Sequence, residues 1–395
     1  MTNPDKTPRV LMVLESGLPT PGGGGAESQV QTLGIEFQRR GVPVSVVTPM
    51  VRWTVQKQED VVAGIPITRI RYPRVKLLGS LWLLVALAML LIRRRDRYDV
   101  IHSHIAGNMS AVCCLVGPLL GKPVFVKLTG MTEMRGGILD EHPGWFTRLR
   151  KWAMRQATAY QATSSRIGRM LVDAGFDPNK VALIANAVDI ERFRVRPGRD
   201  ERRREQFGER RLIGIYVGRL EWEKGVELML RGWARVLRDR DDALLLVVGS
   251  GSLHGNLQAL CTSLGIEDQV RFLGPTKQPE SFLALADFGI LASLHEGLSN
   301  TLLEYMSSGL PVLGSRVSGN EDFIVEGRTG WMFSPGDEES YVSALHRVCA
   351  ASDDAMATMR AHALAMVQSR ASIRHVGDSL IRLYDNGPGE PASQH

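Results

Sequence analysis

Short runs of apolar residues alternate along the chain with longer segments whose apolar residues recur at helical spacing. In the first half these runs lie at 9–14, 44–48, 99–102, 124–128 and 159–163. Such runs between helical segments are typical of parallel strands that are covered by helices on both faces. A helix over 29–40 is well marked, because a glycine run precedes it and Gly41 ends it. Residues 1–200 are therefore predicted to form one α/β domain.

The same pattern restarts after an arginine-rich stretch. Its apolar runs lie at 212–217, 243–248, 270–273, 287–291 and 311–314. They predict a second α/β domain over 201–375, followed by a tail over 376–395 that begins as a helix and ends in disorder. Each half opens with an apolar strand, then glycines, then a helix. Open parallel sheets bind ligands at the carboxyl ends of their strands, so we expect two Rossmann-like, doubly wound domains that face a central cleft.

One apolar segment, 77–92, does not fit the alternation. Its sixteen residues would reach about 24 Å as a helix, against roughly 30 Å for the hydrocarbon core of a bilayer. Two interpretations remain open. The segment is either a helix buried against the sheet, or an interfacial helix that brings the stretch 76–97, with its arginines, into peripheral contact with an anionic membrane.

Charge and cysteines narrow the class of protein. The net charge is +6, but nine arginines lie at 192–211 among acidic residues, which is typical of a solvated surface segment. Without interleaved aromatic residues or helix-turn-helix spacing, no nucleic-acid partner is predicted. Four cysteines without C-x-x-C spacing are expected to be reduced core residues. Because residues 1–8 do not resemble a signal peptide, a cytoplasmic location is expected.

The segment 295–304, which reads His-Glu-Gly-Leu-Ser-Asn-Thr-Leu-Leu-Glu, follows a predicted strand and precedes a helix that Gly309 and Pro311 stop. A helix start carries unpaired amides and partial positive charge, so it can hold a diphosphate without a metal. Glu304, one turn into the helix, could accept hydrogen bonds from ribose hydroxyls, while Glu296 would face a sugar. From the residues alone, a capped surface helix is the alternative. The candidate donor-binding residues here are Gly297, Leu298, Ser299, Asn300, Thr301 and Glu304, with Ser299 or Asn300 as the N-cap.

The two glutamates resemble the E-x7-E motif of retaining glycosyltransferases with the GT-B fold, in family 4 (glycosyl transferases group 1). Further motifs of that family follow in the expected order between about residues 9 and 375. They are the glycine run at 22–25, Asp-Val-Ile-His-Ser-His at 99–104, Asn-Ala-Val-Asp at 186–189, Gly-Arg-Leu at 218–220 with Lys224 and Gly225, Gly-Ser-Gly at 249–251, and the stretches 327–330 and 335–337. Each motif is short, and their shared order and spacing carry the resemblance.

The resemblance implies roles for single residues. Arg219 and Lys224 would neutralise the donor diphosphate in place of a divalent cation, so that no metal or other cofactor is expected. The candidate glycines, which would let the backbone approach the donor, are Gly23, Gly24 and Gly249. With Glu296, the candidate catalytic residues are Arg219, Lys224 and His104, the last meeting the sugar or acceptor from the first domain.

One position departs from the family. Thr129 stands where the family often has a histidine that contacts the donor sugar. Thr129 could supply a hydroxyl and Lys127 a charge, which would suit an acidic or phosphorylated substrate. Both are therefore possible contacts of the sugar or acceptor.

The resemblance thus implies an enzyme that moves a hexose-type sugar from a nucleotide-diphospho-sugar to a saccharide or lipid-linked acceptor, with retention, in cell-surface polysaccharide or glycoconjugate biosynthesis. Three alternatives stay open: a non-catalytic nucleotide-sugar-binding or membrane-associated partner protein, an epimerase of the same fold, and a sugar phosphorylase. A dehydrogenase is excluded, because the first strand lacks a properly spaced G-x-G-x-x-G.

Overall fold

The computed structural model describes residues 7–19, 24–52, 55–75, 77–130, 136–140, 142, 144–195, 198–208 and 212–388. Contacts divide the chain into two compact units. The first takes in the chain up to Ala187 together with the segment from Ile373, and the second is Val188–Ser372. Each unit has its own sheet and hydrophobic core, as expected when a chain exceeds the size of a single core.

The first unit is built on an eight-stranded sheet in the order β3-β4-β2-β1-β5-β6-β7-β8. Only β3, which pairs with β4, is antiparallel among the described strands. The strands are β1 (Val10–Leu14), β2 (Val44–Pro49), β3 (Glu59–Val62), β4 (Ile65–Ile70), β5 (Val100–His104), β6 (Val124–Leu128), β7 (Ala159–Ala162) and β8 (Val181–Leu183). The helices are α1 (Gly25–Arg39), α2 (Leu78–Arg93), α3 (Asn108–Leu119), α4 (Trp145–Met154), α5 (Ser165–Asp173) and, from the end of the chain, α15 (Ile373–Asn386).

The second unit has a six-stranded, wholly parallel sheet in the order β11-β10-β9-β12-β13-β14. Its strands are β9 (Leu212–Val217), β10 (Ala243–Val248), β11 (Val270–Gly274), β12 (Phe288–Leu291), β13 (Val312–Ser315) and β14 (Gly330–Phe333). Its helices are α6 (Ile190–Phe193), α7 (Arg199–Phe207), α8 (Val226–Leu237), α9 (His254–Leu264), α10 (Glu280–Leu283), α11 (Asn300–Ser307), α12 (Ser318–Phe323), α13 (Glu338–Ala350) and α14 (Asp353–Arg370).

The last helix corrects the predicted domain limits. Instead of forming a separate tail, α15 packs on the first unit, where Val376 and Leu380 are buried. Arg40, directly after α1, donates a hydrogen bond of 2.5 Å to Asp378, and the Tyr384 hydroxyl lies 2.6 Å from Nδ1 of His102. These contacts join the end of the chain to its beginning, and the second unit starts at Val188 rather than at 201. Most of the predicted disordered end, 389–395, lies outside the described residues.

The strands of the two sheet centres agree with the prediction to within two residues. Four strands were not predicted: β3, β4, β8 and β14. Each is short or has polar residues between its apolar ones, so it lacks the continuous apolar run of a central strand. Helix α1 begins at Gly25, four residues before its predicted start.

Helix α2 forms over most of the segment 77–92 and packs on the sheet with one side. Leu87 and Leu91 are fully buried on that side, while Trp82 and Val85 on the other side are more than half exposed. Contact of this exposed side with a membrane stays a prediction. Among the described residues, no helix is both long and apolar enough to cross a membrane. Of the cysteines, Cys113, Cys114 and Cys261 are buried and Cys349 is half-buried, and all four are free.

Candidate functional site

In the second unit, the segment after β12 leads directly into α11, as the sequence predicts. Ser299 takes the N-cap position of this helix with extended backbone, but its side chain makes no capping hydrogen bond. The amide of Gly319 donates to the carbonyl oxygen of Gly297 at 2.9 Å, which fixes the loop from the α12 side. The aligned peptide dipoles of a helix give its N-terminus a partial positive charge, which favours an anion there. This end of α11 thus has the features of an anion-binding site.

Lys224 and Glu296 form an ion pair beside this helix start. Their Nζ and Oε2 atoms are 2.5 Å apart, and each side chain is 19% exposed. The Ser293 hydroxyl donates to the same Glu296 oxygen at 3.1 Å. The Leu294 amide also donates to the carbonyl oxygen of Glu223 at 2.9 Å. The turn before α8 and the loop before α11 are therefore held together at a partly buried, hydrogen-bonded charge pair.

Two glycines allow the backbone approaches around this pair. Gly225 has φ +64°, and a Cβ there would lie 2.1 Å from the carbonyl oxygen of Ala292. Gly249 has φ +143°, and a Cβ there would lie 1.8 Å from the carbonyl oxygen of Gly218. Both conformations disfavour side chains, and neither contact leaves room for one. The predicted donor-binding residue Gly249 thus lies against the turn that carries Arg219 and Lys224.

Arg219 differs from Lys224 in its surroundings. Its side chain is 61% exposed and pairs with Glu223 at 2.8 Å, one helical turn along the chain. The Tyr216 hydroxyl donates to the carbonyl oxygen of Arg219 at 2.7 Å, so the backbone of the turn is fixed. The structure therefore joins Lys224 to Glu296, whereas it leaves the Arg219 guanidinium on the surface beside another carboxylate.

Glu304 lies half-buried one turn into α11. Burial raises the pKa of its carboxyl to about 7, with nearby Arg192 lowering it and Glu280 raising it. Arg192 and Glu280 form an ion pair of 2.9 Å. Within the described part of the chain, the Glu304 carboxylate makes no side-chain hydrogen bond. Sequence reasoning missed both neighbours: Arg192 was counted with a solvated segment, and Glu280 lies 24 positions before Glu304 in no motif.

The remaining candidate residues belong to the first unit. His104 and Lys127 are register partners on β5 and β6, and both side chains are only 1% exposed. Among the described residues, neither nitrogen of His104 nor Nζ of Lys127 has a hydrogen-bond partner. Burial, with His102 and Lys127 nearby, holds the pKa of His104 well below its usual value, and burial lowers the pKa of Lys127 to about 7. Both side chains are thus buried in the structure.

The other candidates of the first unit are Thr129, Gly24 and Gly23. Thr129 is half-buried directly after β6. Gly24 occupies the N-cap position of α1, and Gly23 lies outside the described residues. Within the described ranges, no three or more histidine, cysteine, aspartate or glutamate side chains are grouped in a way that could hold a metal ion.

Two α/β units of this topology define the fold class, which is GT-B. Two family models match most of the chain. Residues 23–192 match the model described as Glycosyltransferase Family 4, and residues 211–351 match that of Glycosyl transferases group 1. The chain belongs to this family of enzymes, which confirms the resemblance.

Similar proteins agree with this assignment. The 2-deoxystreptamine glucosyltransferase of Streptomyces kanamyceticus is 27% identical over 76% of this chain and 81% of its own length. A D-inositol 3-phosphate glycosyltransferase of Geodermatophilus obscurus is 27% identical over 97% and 90%. The crystal structure of Anabaena HepE in complex with UDP matches with a TM-score of 0.79 at 20% identity, over 95% of this chain and 99% of that one. HepE has also been solved with UDP-glucose.

Proposed function

We propose that the second unit binds a nucleotide-diphospho-sugar and that the enzyme transfers its hexose with retention of the anomeric configuration. The observation that carries the proposal is the Lys224–Glu296 pair, which is partly buried, tied to the start of α11 and bordered by glycine backbone. A diphosphate on the first-turn amides of α11 would lie near the Lys224 ammonium. The loop that positions Glu296 is the same loop that leads into this helix.

The residues present can stabilise the leaving group without a metal. As the bond between the anomeric carbon and the diphosphate oxygen breaks, negative charge grows on the diphosphate, and Lys224 and the α11 amides stabilise it. Arg219 adds a second cation when its guanidinium exchanges Glu223 for the diphosphate. The acceptor oxygen bonds to the anomeric carbon on the same face, and its proton passes to a diphosphate oxygen. Glu296, held by Lys224 and Ser293, orients and electrostatically supports the sugar.

Glu304 has the surroundings of a ribose ligand. Its carboxylate is half-buried on α11 and makes no side-chain hydrogen bond within the described residues. An ionised carboxylate can accept from two adjacent hydroxyls. Because HepE binds UDP and UDP-glucose, a uridine diphosphate hexose is the first donor to test.

The relatives are named as glycosyltransferases of 2-deoxystreptamine, of D-inositol 3-phosphate and of lipopolysaccharide core biosynthesis. We propose a saccharide or lipid-linked acceptor in cell-surface polysaccharide or glycoconjugate assembly, at the cytoplasmic face of a membrane that residues 76–97 contact. His104, Lys127 and Thr129 are the candidates of the first unit for the acceptor or sugar, and Lys127 would favour an acidic or phosphorylated one.

Product stereochemistry tests the mechanism. Proton NMR of the product formed from an α-linked donor should show an α-linked anomeric proton, and a β-linked product would contradict retention. In parallel, Lys224→Met and Arg219→Met should each lower turnover by about 10²–10³-fold, with smaller losses in nucleoside diphosphate affinity. Arg231→Met, another exposed arginine with a glutamate partner one turn away, is the matched control. If both site variants turn over like this control, the assigned leaving-group site is wrong.

A further inference from the structure

Three helices of the first unit, α2, α3 and α4, cover one side of its sheet. Their buried residues, including Leu87, Met109, Cys113 and Met154, belong to one hydrophobic cluster with that side of the sheet. Helix α3 packs between α2 and α4. We call the sides of these three helices that do not contact the sheet the three-helix face. In its α2 part, Trp82, Val85 and Met89 also border a cavity lined by residues of β3 and β4.

The three-helix face is unusually apolar for a protein surface. Single exposed apolar residues are common, but a contiguous group marks an interaction site. On α4 the group is an exposed aromatic stripe in which Trp145, Leu149 and Trp152 recur at helical spacing, with the Phe146 ring stacked on that of Trp145. The large apolar side chains at least 38% exposed on this face are Leu78, Leu81, Trp82, Val85, Met89, Ile92, Leu115, Leu119, Trp145, Phe146, Leu149 and Trp152.

Arginines outnumber carboxylates around the three-helix face, where Glu59 of β3 pairs with Arg94 and lines the same cavity as Trp82. None of α2, α3 and α4 contains an aspartate or glutamate. Exposed arginines lie within and just after these helices, with Asp96 as an exposed carboxylate between two of them; these arginines are Arg93, Arg95, Arg97, Arg148 and Arg155. Tryptophans beside leucines, rimmed by arginines, are the side chains that favour the boundary between headgroups and acyl chains.

We propose that the three-helix face docks on the surface of an anionic lipid bilayer, with α4 as well as α2 contributing apolar side chains. This proposal rests on the part of the proposed function in which residues 76–97 contact a membrane. It extends that contact to α3 and α4, which lie outside this stretch. The aromatic rings lie at the level of the acyl boundary, and the arginines meet acidic headgroups. A zwitterionic surface offers the apolar contact without the charge attraction, so it binds more weakly.

Co-sedimentation of the full chain with vesicles, without donor or acceptor, tests this separately from the sugar chemistry. The chain should pellet with vesicles of phosphatidylcholine and phosphatidylglycerol, and much less with phosphatidylcholine alone. The triple variant Trp145→Ser, Leu149→Ser, Trp152→Ser should bind at least about tenfold more weakly. Arg93→Gln with Arg148→Gln should cost roughly fivefold per arginine at low salt.

Matched controls separate docking from general surface effects. Leu183→Ser on β8 removes a leucine that is 54% exposed, against 55% for Leu149, and Arg328→Gln removes an exposed arginine of the second unit. Both should bind vesicles like the parent, and all variants should keep its melting temperature within a few degrees. The proposal is overturned if the parent stays in the supernatant, or if the α4 variant pellets like Leu183→Ser. It is equally overturned if sedimentation equilibrium without lipid shows a dimer that the α4 variant dissociates, since a second copy would then cover the face.

Discussion

Protonation of Glu304 should weaken donor binding as the pH falls below neutrality. The carboxyl has a pKa of about 7, chiefly because of burial, whereas an exposed glutamate would be ionised throughout this range. Only the ionised form accepts hydrogen bonds from two ribose hydroxyls with both oxygens. Donor binding therefore favours the ionised form, and below the pKa it must displace a proton.

The size of the effect follows from that pKa. At about pH 8 nearly all Glu304 carboxyls are ionised, and at about pH 6 roughly one in ten is. If the protonated form contributes nothing, the dissociation constant of the donor rises about tenfold between these values. Hydrogen bonds to a charged group are worth about 1.5–3 kcal/mol, so the loss should level off between tenfold and a hundredfold at lower pH.

Calorimetric titration with an intact nucleotide-sugar measures both the affinity and the proton. The sugar diester is used because a terminal phosphate itself titrates near pH 6. Repeating the titration at about pH 6 in two buffers of different ionisation enthalpy should show release of about 0.4–0.8 proton on binding, because the donor favours the ionised carboxyl ten- to a hundredfold. Glu304→Gln should bind more weakly at about pH 8 and show no such release.

The two charged neighbours of Glu304 give tests of opposite sign. Arg192 lowers the pKa of Glu304, so Arg192→Gln should move the midpoint of the pH dependence upward. Glu280 raises it, so Glu280→Gln should move the midpoint downward. A flat affinity profile in the parent, or the same pH dependence in Glu304→Gln, would refute the assignment of Glu304 to the ribose.

The contribution of Glu304 to the free energy of unfolding should fall as the pH rises, whereas donor affinity should increase. Since folding raises the pKa of Glu304 above its unfolded value, the stabilising contribution is complete below about pH 4.5 and is lost as the pH rises through about 7. Glu304→Gln should therefore unfold at higher urea concentration than the parent at about pH 8, by roughly 2–3 kcal/mol. At about pH 4 the difference should largely disappear.

Other predictions concern the rest of the two units. Gly249→Ala should destabilise the protein by about 2 kcal/mol or more, because the Cβ would lie on the Gly218 carbonyl; Gly255→Ala in α9, where a Cβ meets open space, should stabilise by roughly 0.5–1 kcal/mol. Thermal unfolding of both variants compares them. Glu296→Gln should lower turnover roughly a hundredfold while changing nucleoside diphosphate affinity less than about threefold, and a large affinity loss instead would place Glu296 on the nucleotide. Tyr384→Phe should cost about 1–3 kcal/mol in denaturant unfolding because it leaves His102 Nδ1 unpaired, and an unchanged midpoint would mean that this contact does not hold α15.

The parts of the fold that could be predicted are those with a local signal. Runs such as 243–248 are buried along their whole length, so continuous apolar sequence marks them. Strand β3 alternates between exposed and half-buried residues at the sheet edge, and β8 has three residues, so neither stands out from a loop. The placement of α15 depends on contacts such as that between Arg40 and Asp378, 338 positions apart, which no local pattern contains.

In the candidate site, too, the sequence indicated single residues but not their contacts with distant positions. The order of motifs indicated Lys224 and Glu296, but their direct pairing joins positions 72 apart. It also gave no sign that Arg219 pairs with Glu223, or that Arg192 and Glu280 set the charge around Glu304. His104 was a candidate for meeting the sugar or acceptor and Lys127 a possible contact, and the sequence did not indicate that both side chains are only 1% exposed. Residue types at a strand end indicate chemistry, whereas burial is a property of the assembled unit.

The most direct test of the central claim is thermal stabilisation of the purified protein by UDP, GDP, ADP, CMP and NAD, each with and without magnesium. A ligand that binds only the folded state raises the melting temperature by mass action, by about 2.7 kcal/mol of stability at a hundredfold excess over its dissociation constant. We predict that one nucleoside diphosphate stabilises the protein without magnesium, and that Glu304→Ala, which should bind it ten- to a hundredfold more weakly, cuts this stabilisation to about 0.4–1.4 kcal/mol. Well-folded protein that responds to no diphosphate, or responds equally in Glu304→Ala, would contradict the donor site described for α11.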